Sequence, residues 1–460
     1  MKEDQLISIF ATHNQYHLID YFRRLPADKR KDFLESLGGT DFNLLFRLHR
    51  QFCANEGLPG LTRDIHPAAI ITLPKTATEK SRMRKARLLG EAMICEGKIA
   101  VLIVAGGQGS RLGHDGPKGI FPISPVRNKP LFQLFAEQIK ALSLRYGVQI
   151  PLLIMTSREN HRATKNFFKS QEYFGLCQES VHFFQQGMLP SITPNGRLLL
   201  DGETHLLSNP DGHGGSLKAL HDSGLLKKLL SKGFQEVFYC QVDNPLVKIA
   251  DPVFLGYHAT AGAEVSTKVV RRRSAEEKVG VYISADGKDS IIEYSDLDPQ
   301  YMSALDANGD ILYWAGNTAI HIFSLSFIER LNYHGFGLPY HCARKTVEYP
   351  VKGKLIKKID LWKCEAFVFD AIPLATKTCC MEVLREEEFS PVKNKEGADS
   401  PSTARTSMSN LHATWLSESG MDLPPGILVE ISPLYALNKE ELSTKLKDVK
   451  LKTKDYIYLG

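Results

Sequence analysis

The stretch 101–119, VLIVAGGQGSRLGHDGPKG, constrains this chain most. A run of aliphatic residues gives way to glycine at Gly106, Gly107 and Gly109, with Gly113 and Gly116 close behind. So continuous an apolar run reads as a strand covered on both faces. Glycines at its end let the backbone turn sharply and approach a ligand closely. Backbone N–H groups presented there can face phosphate oxygens.

Three kinds of phosphate loop compete for this stretch. A Walker A loop requires GxxxxGK[ST], and no GK[ST] follows. A dinucleotide loop requires GxGxxG inside a short strand–helix–strand unit. Here Gly107, Gly109 and Gly113 give GxGxxxG, and the next apolar run begins only at residue 151. The dehydrogenase reading therefore fails. The third kind adds cations. Arg111 and Lys118 sit in the loop, and Pro117 stiffens the approach to Lys118. Two cations on a glycine loop suit a triphosphate or a developing pyrophosphate better than two solvated charges.

Two further stretches bear on the same chemistry. PDGHGG at 210–215 precedes a helical pattern, so its N–H groups can face a ligand, although Pro, Asp and Gly also make ordinary turns. The apolar run EVFYCQV at 236–242 leads straight into Asp243. Open α/β sheets bind ligands beyond the carboxyl ends of their strands. A carboxylate there can hold Mg²⁺ while phosphates supply other ligands. It can equally cap the turn before Pro245.

Composition limits the rest. A chain of 460 residues is long for one core, and two or three domains are expected. With 57 basic and 52 acidic residues the net charge is +5, too mild to indicate nucleic acid and compatible with a small polyanion. The eight cysteines are scattered without a CxxC pair and read as reduced, mostly buried thiols. MKEDQL leads into charged sequence with no apolar h-region, so no signal peptide is expected. The run 99–105 is too short to span a bilayer. A soluble, cytoplasmic protein without membrane partners is the expectation.

Along the chain, residues 1–95 carry apolar residues near a period of 3.6, punctuated by Pro26 and Gly38-Gly39, and read as a helical cap. Residues 96–385 alternate strand and helix, which argues an α/β core. Strands are expected at 99–105, 151–157, 181–184 and 236–242, and helices at 130–145, 159–170 and 214–232. Closer-spaced strands at 264–270, 279–283, 290–294 and 366–370 suggest a mixed central sheet. Residues 386–410 are polar and rich in Ser and Pro, and read as a linker that opens a C-terminal region, 386–460. The region ends in a small β-rich tail. The basic residues 271–273 and 445–454 read as solvated faces.

VAGGQGSRLG (104–113) with PKG (117–119) resembles the signature of the UDP-sugar pyrophosphorylases, nearest the UDP-N-acetylhexosamine branch. FFQQGMLP (183–190), PDGHGG (210–215), VDNPLVKIADP (242–252), EYSDL (293–297), AGNTAIH (315–321), FVFD (367–370), EVLREEEFSPVKN (382–394), SPSTAR (400–405) and VEISPLYA (429–436) support it in the family's order. The resemblance implies a Rossmann-like nucleotidyltransferase core with a helical N-terminal and a small C-terminal region. It implies a reaction of UTP with a sugar 1-phosphate, giving a UDP-sugar and pyrophosphate with Mg²⁺. Residue by residue, Ala105, Gly106, Gly107 and Gly109 match the nucleotide loop. Gln186 and Gly212 match the groups that read uracil. Arg111, Lys118 and Lys393 match the cations on the phosphates, and Asp243 matches the metal carboxylate. Glu293 and Asn317 match sugar contacts, and Phe367 and Phe369 match aromatic walls beside the sugar.

Two positions depart from the pattern. Ser110 replaces a usual Thr. His213 stands next to the sugar contacts where the hexosamine branch usually has Asn, and its GHG context is similar to the UDP-glucose branch. An imidazole offers other donors and more bulk than an amide. An N-acetylhexosamine 1-phosphate is the first expectation and glucose or galactose 1-phosphate the second. A catalytically silent UDP-sugar binder is a third, but it would need no pyrophosphate cations.

Overall fold

The computed structural model describes residues 1–54, 64–351, 355–447 and 455–460. Of the lysine-rich stretch 445–454, residues 448–454 lie outside the described residues. Packing groups the chain into two compact units. One comprises Met1–Thr62, Gln186–Lys218 and Gly337–Val368; the other comprises Arg63–Gln185, Ala219–Phe336 and Phe369–Gly460. This grouping by packing is a different partition from the three consecutive stretches of the sequence reading. It collects segments distant in the chain because their apolar faces share a core.

In the smaller unit, helices Glu3–Thr12, Tyr16–Arg24, Ala27–Ser36 and Phe42–Ala54 follow one another. Their apolar residues recur on one stripe, and Phe10, Phe22 and Phe33 are fully buried. They pack with Ile192, Leu198, Leu206 and Trp362. Burying each such ring contributes roughly 1.5–3 kcal/mol. Strands His341–Val351 and Leu355–Glu365 pair antiparallel in the same unit. The sequence reading passes over this hairpin because most residues of its first strand are solvent-exposed, which blurs the apolar alternation that marks a strand. Cys342 and Cys364 stand opposite each other across it and are joined by a disulfide. The expectation of eight reduced cysteines is corrected here: register places the two thiols together, and sequence spacing does not reveal register. The other described cysteines are free, with Cys240, Cys379 and Cys380 buried.

The larger unit is built on a mixed sheet. Strand Ile99–Val104 lies between Leu152–Thr156 and Glu236–Gln241, parallel to both. Val181–Gln185 extends the parallel side. Ala315–Ser324 pairs antiparallel with Glu236–Gln241 and with Val265–Arg271. Thr378–Glu382 adds parallel to Val265–Arg271. The central strand is buried along nearly its whole length, which explains its unbroken aliphatic sequence. Helices Leu131–Tyr146 and His161–Ser170 fall where periodicity places them. The α/β class, the mixed sheet and the helical N-terminal region are as the sequence indicates.

Four local expectations are corrected. The pattern at 214–232 is two helices, Gly215–Asp222 and Leu225–Ser231, because Gly224 takes a left-handed φ of 75° between them. Residues 366–370 form no strand. Val368–Leu374 is a short 3₁₀ segment, and the Ala366 backbone is spent on the 210–215 turn, to Asp211 and Gly214. The last ten residues of the supposed linker, 401–410, are the first part of helix Pro401–Glu418. Its Ser400 side chain accepts from the Thr403 N–H at 3.4 Å and Pro401 occupies the first turn, so a stretch that reads as Ser/Pro-rich is a helix start. Finally, 271–273 is a solvated face only in part, since Arg271 and Arg273 are exposed and Arg272 is not. Arg272 is buried and donates to the Met302 carbonyl, while Arg271 pairs with Glu382 and lies over Trp314. The C-terminal stretch pairs Leu428–Ile431 with Tyr456–Leu459 in a two-stranded parallel sheet beside helix Lys439–Leu446.

Candidate active site

The glycine loop and Asp243 leave the same edge of the sheet. Val104 and Gln241 are register partners on adjacent parallel strands, and the Val242 N–H donates to the Val104 carbonyl at 3.1 Å. The loop then closes on itself. The Gly109 N–H donates to the Gly116 carbonyl at 2.8 Å, and the Lys118 N–H to the Gly107 carbonyl at 3.2 Å. Arg111 is exposed on the 3₁₀ turn Ser110–Leu112, and Lys118 begins the turn Lys118–Ile120. Ala105 is buried at the strand end, whereas Gly107 is exposed. A Cβ at Gly107 would meet nothing within 4 Å, but at Gly109 it would lie 2.9 Å from His114. Gly109 is thus needed by packing, and Gly107 keeps an open surface clear.

The Lys118 ammonium donates to the Asp243 carboxylate at 3.1 Å. Both side chains are mostly covered, at 16% and 14% exposure. The Val392 N–H donates to the Asp243 carbonyl at 2.8 Å, which sets Lys393 beside the aspartate. Lys393 itself is exposed, its N–H held by the Asp399 carbonyl at 2.7 Å. The fold thus gathers Lys118, Asp243 and the Lys393 segment around the foot of the glycine loop. No group of three or more metal-type ligands occurs among the described residues. A single partly covered carboxylate is what Mg²⁺ uses when phosphates and water complete its shell, so the donor set fits that ion in that manner.

Glu293 and Asn317 both adjoin Gly280. The Asn317 N–H donates to the Gly280 carbonyl at 2.8 Å, and a Cβ on Gly280 would come within 3.3 Å of the Glu293 carboxylate. Asn317 lies just before a register shift in its strand, and its side chain accepts from the Ala319 N–H at 2.9 Å. Phe369 is buried on the 3₁₀ segment.

The remaining residues belong to the smaller unit. Gln186 precedes strand Met188–Pro190, whose partner Ser208–Pro210 leads into Asp211, Gly212 and His213. Gly212 has φ of 87°, and a Cβ there would run into the Ala366 carbonyl. The Val368 N–H donates to His213 Nδ1 at 3.1 Å. With Nδ1 accepting, the proton of the neutral ring sits on Nε2. The Phe367 ring stacks on His213 at 5.5 Å and on His341 at 4.6 Å.

Sequence reasoning missed two residues beside the glycine loop, Asn160 and Lys395, and in the smaller unit it missed Asp211. Asn160 is buried and donates to the carbonyls of Ala105 at 2.9 Å and Gly107 at 3.2 Å, tying the loop down. Lys395 runs along the loop, its stem 3.7 Å from where a Gly113 Cβ would stand. Asp211 is buried against Gly187 and Gly215. Only Lys395 had a signal, a second lysine in KNK.

Residues 46–460 match the family model described as UTP--glucose-1-phosphate uridylyltransferase. A probable UDP-N-acetylglucosamine pyrophosphorylase of Dictyostelium discoideum is 34% identical over 457 residues, covering 94% of this chain and 93% of the relative. The UDP-N-acetylglucosamine pyrophosphorylase of Saccharomyces cerevisiae is 38% identical over 369 residues, 77% of each chain. The crystal structure of the uridine diphosphate N-acetylglucosamine pyrophosphorylase from Trypanosoma brucei, in complex with inhibitor, superposes with a TM-score of 0.86 at 26% identity, covering 100% of this chain and 98% of that one. Fold and relatives together define a nucleotidyltransferase. The chain belongs to the UDPGP family, and it is a uridylyltransferase of the UDP-sugar pyrophosphorylase type.

Proposed function

We propose that the protein joins UTP to N-acetylglucosamine 1-phosphate or N-acetylgalactosamine 1-phosphate, releasing pyrophosphate. An oxygen of the sugar phosphate attacks the α-phosphorus of UTP. A new P–O bond forms as the bond to the β-phosphate oxygen breaks, and the electron pair leaves with pyrophosphate. A phosphate monoester is already a nucleophile, so the chain supplies positioning and charge neutralisation. The observation that carries this reading is the Lys118–Asp243 pair, which joins the far end of the glycine loop to the aspartate just beyond the adjacent parallel strand.

In this reading Ala105, Gly106, Gly107 and Gly109 line the triphosphate. Arg111, Lys118 and Lys393 offset its charge and that of the departing pyrophosphate. Asp243 would hold Mg²⁺, which supplies further charge neutralisation when bound. Gln186 and Gly212 read uracil. Glu293, Asn317, His213, Phe367 and Phe369 contact the sugar. A cytoplasmic location goes with this reading as part of the proposal; no described helix is long and apolar enough to cross a membrane.

A second reading, glucose 1-phosphate as acceptor, is favoured by one observation only: His213 is a bulky ring-shaped donor held by Val368 and Phe367. Pyrophosphate release measured over a panel of sugar 1-phosphates, on the natural chain and Lys118→Ala, tests both. N-acetylhexosamine preference is expected, with kcat in Lys118→Ala lower by on the order of a hundredfold or more. Glucose preference selects the second reading. Near-normal turnover of Lys118→Ala, or no turnover of any sugar phosphate by the natural chain, defeats the mechanism.

A further inference from the structure

We propose that Asn244 is a positioning residue for uridylyl transfer, which holds the Lys393 segment against the Asp243 turn. The proposal rests on the reading that Lys393 acts on the phosphates. Asn244 follows the candidate metal carboxylate and is only 3% exposed. Its amide nitrogen donates to the Glu388 carbonyl at 2.7 Å, and its amide oxygen accepts from the Ser390 N–H at 3.1 Å. The same oxygen also accepts from the Leu246 N–H at 3.3 Å. The two sides of the amide are assigned without ambiguity, because one faces a carbonyl and the other faces N–H groups. One residue earlier, the Asp243 carbonyl takes the Val392 N–H at 2.8 Å. Residues 243 and 244 therefore make three bonds to the main chain of 388–392, two through the Asn244 amide and one through the Asp243 carbonyl, and this segment delivers Lys393.

Both ends of this clamp are anchored in buried charge. Lys268 is fully buried and donates to Glu388 at 2.6 Å and to Asp251 at 2.7 Å. Asp251 in turn accepts from the Val253 N–H at 3.0 Å at the start of helix Pro252–Ala261. Lys248, four residues after Asn244, pairs with Glu387 and lies 3.7 Å from Glu388. Glu388 is thus fixed through its side chain by Lys268 and through its carbonyl by Asn244. Without the amide, the Glu388 carbonyl and Ser390 N–H lose their buried partners, and 390–393 is free to drift from the sheet edge. A displacement of about 1 Å at a reacting group can cost roughly a hundredfold in rate. The residue is buried and acts through Lys393.

A double-mutant cycle of Asn244→Ala and Lys393→Ala, read as kcat for pyrophosphate release, tests this. Melting temperature is followed alongside; if Asn244→Ala yields no folded protein, Asn244→Ser takes its place. The expected result is a kcat lowered roughly 10- to 100-fold by the Asn244 change alone, and by no more than about threefold when Lys393 is already Ala. Losses that multiply in the double variant overturn the positioning role and leave the Lys393 reading intact. An unchanged kcat for Asn244→Ala also overturns it. An unchanged kcat for Lys393→Ala overturns the underlying reading and the proposal with it.

Discussion

At the scale of single residues, two glycines of one loop answer to different demands. Gly109 packs against His114, whereas Gly107 has an ordinary φ and open space at its Cβ position. Gly107→Ala is therefore expected to melt at the same temperature or higher, since such a change stabilises by about 0.4–1 kcal/mol where the backbone permits it. Its KM for UTP should nonetheless rise, because a methyl group would occupy the surface kept clear for phosphate. Gly109→Ala should lose stability as its methyl group meets the His114 ring. Thermal melts beside initial rates at varied UTP separate the two. An unaltered KM in Gly107→Ala would remove the backbone from the nucleotide contact. These roles were only half legible in the sequence. The glycine spacing and the two cations mark the loop. Asn160, which pins its carbonyls, is an unremarkable polar residue fifty-five positions from Ala105, and nothing local distinguishes it.

Among the elements, helix Pro401–Glu418 shows how composition misleads. Ser, Pro and Thr are enriched in linkers, yet in the order SPST they form a capping box with proline in the first turn. The helix then buries Ala404 and Met408 in the main core and Trp415 and Leu416 in the C-terminal cluster. Ser400→Ala is expected to cost about 1 kcal/mol, measured as an earlier denaturant midpoint with an unchanged slope. No shift would show that water or Thr403 satisfies the helix end equally well. The converse error occurs at 366–370, where alternating Phe367 and Phe369 imitate a strand. Tertiary bonds to Asp211, His213 and Gly214 take those backbone groups instead.

Over the whole molecule, stability should depend on acid through His412. Burial pushes this imidazole down to about 4 from its ordinary 6.5. Its Nδ1 accepts from the Ile431 N–H at 3.2 Å, a bond that protonation of that nitrogen abolishes. The unfolded chain thus takes up the proton more readily than the folded one. Its contribution is fully present above about pH 6.5, declines as pH falls, and is gone near pH 4. At most roughly 3 kcal/mol is involved. Denaturation of the natural chain and of His412→Gln across that window checks this: the variant should lose less stability on acidification. Parallel losses in both would assign the acid sensitivity to other groups.

The linear sequence alone determined whatever depends on neighbours within a turn or two: the central strand, the glycine loop with its cations, Asp243 at a strand end, and most of the helices. Those features follow from backbone sterics and side-chain periodicity, which act over a few residues. Tertiary structure alone decided that Cys342 faces Cys364, that Arg272 is buried, and that Asn244 grips 388–390. Each of these needs a partner between 20 and 150 residues away. Such pairs form only after the core has brought distant segments together, and burial then obliges every polar group in them to find a bond.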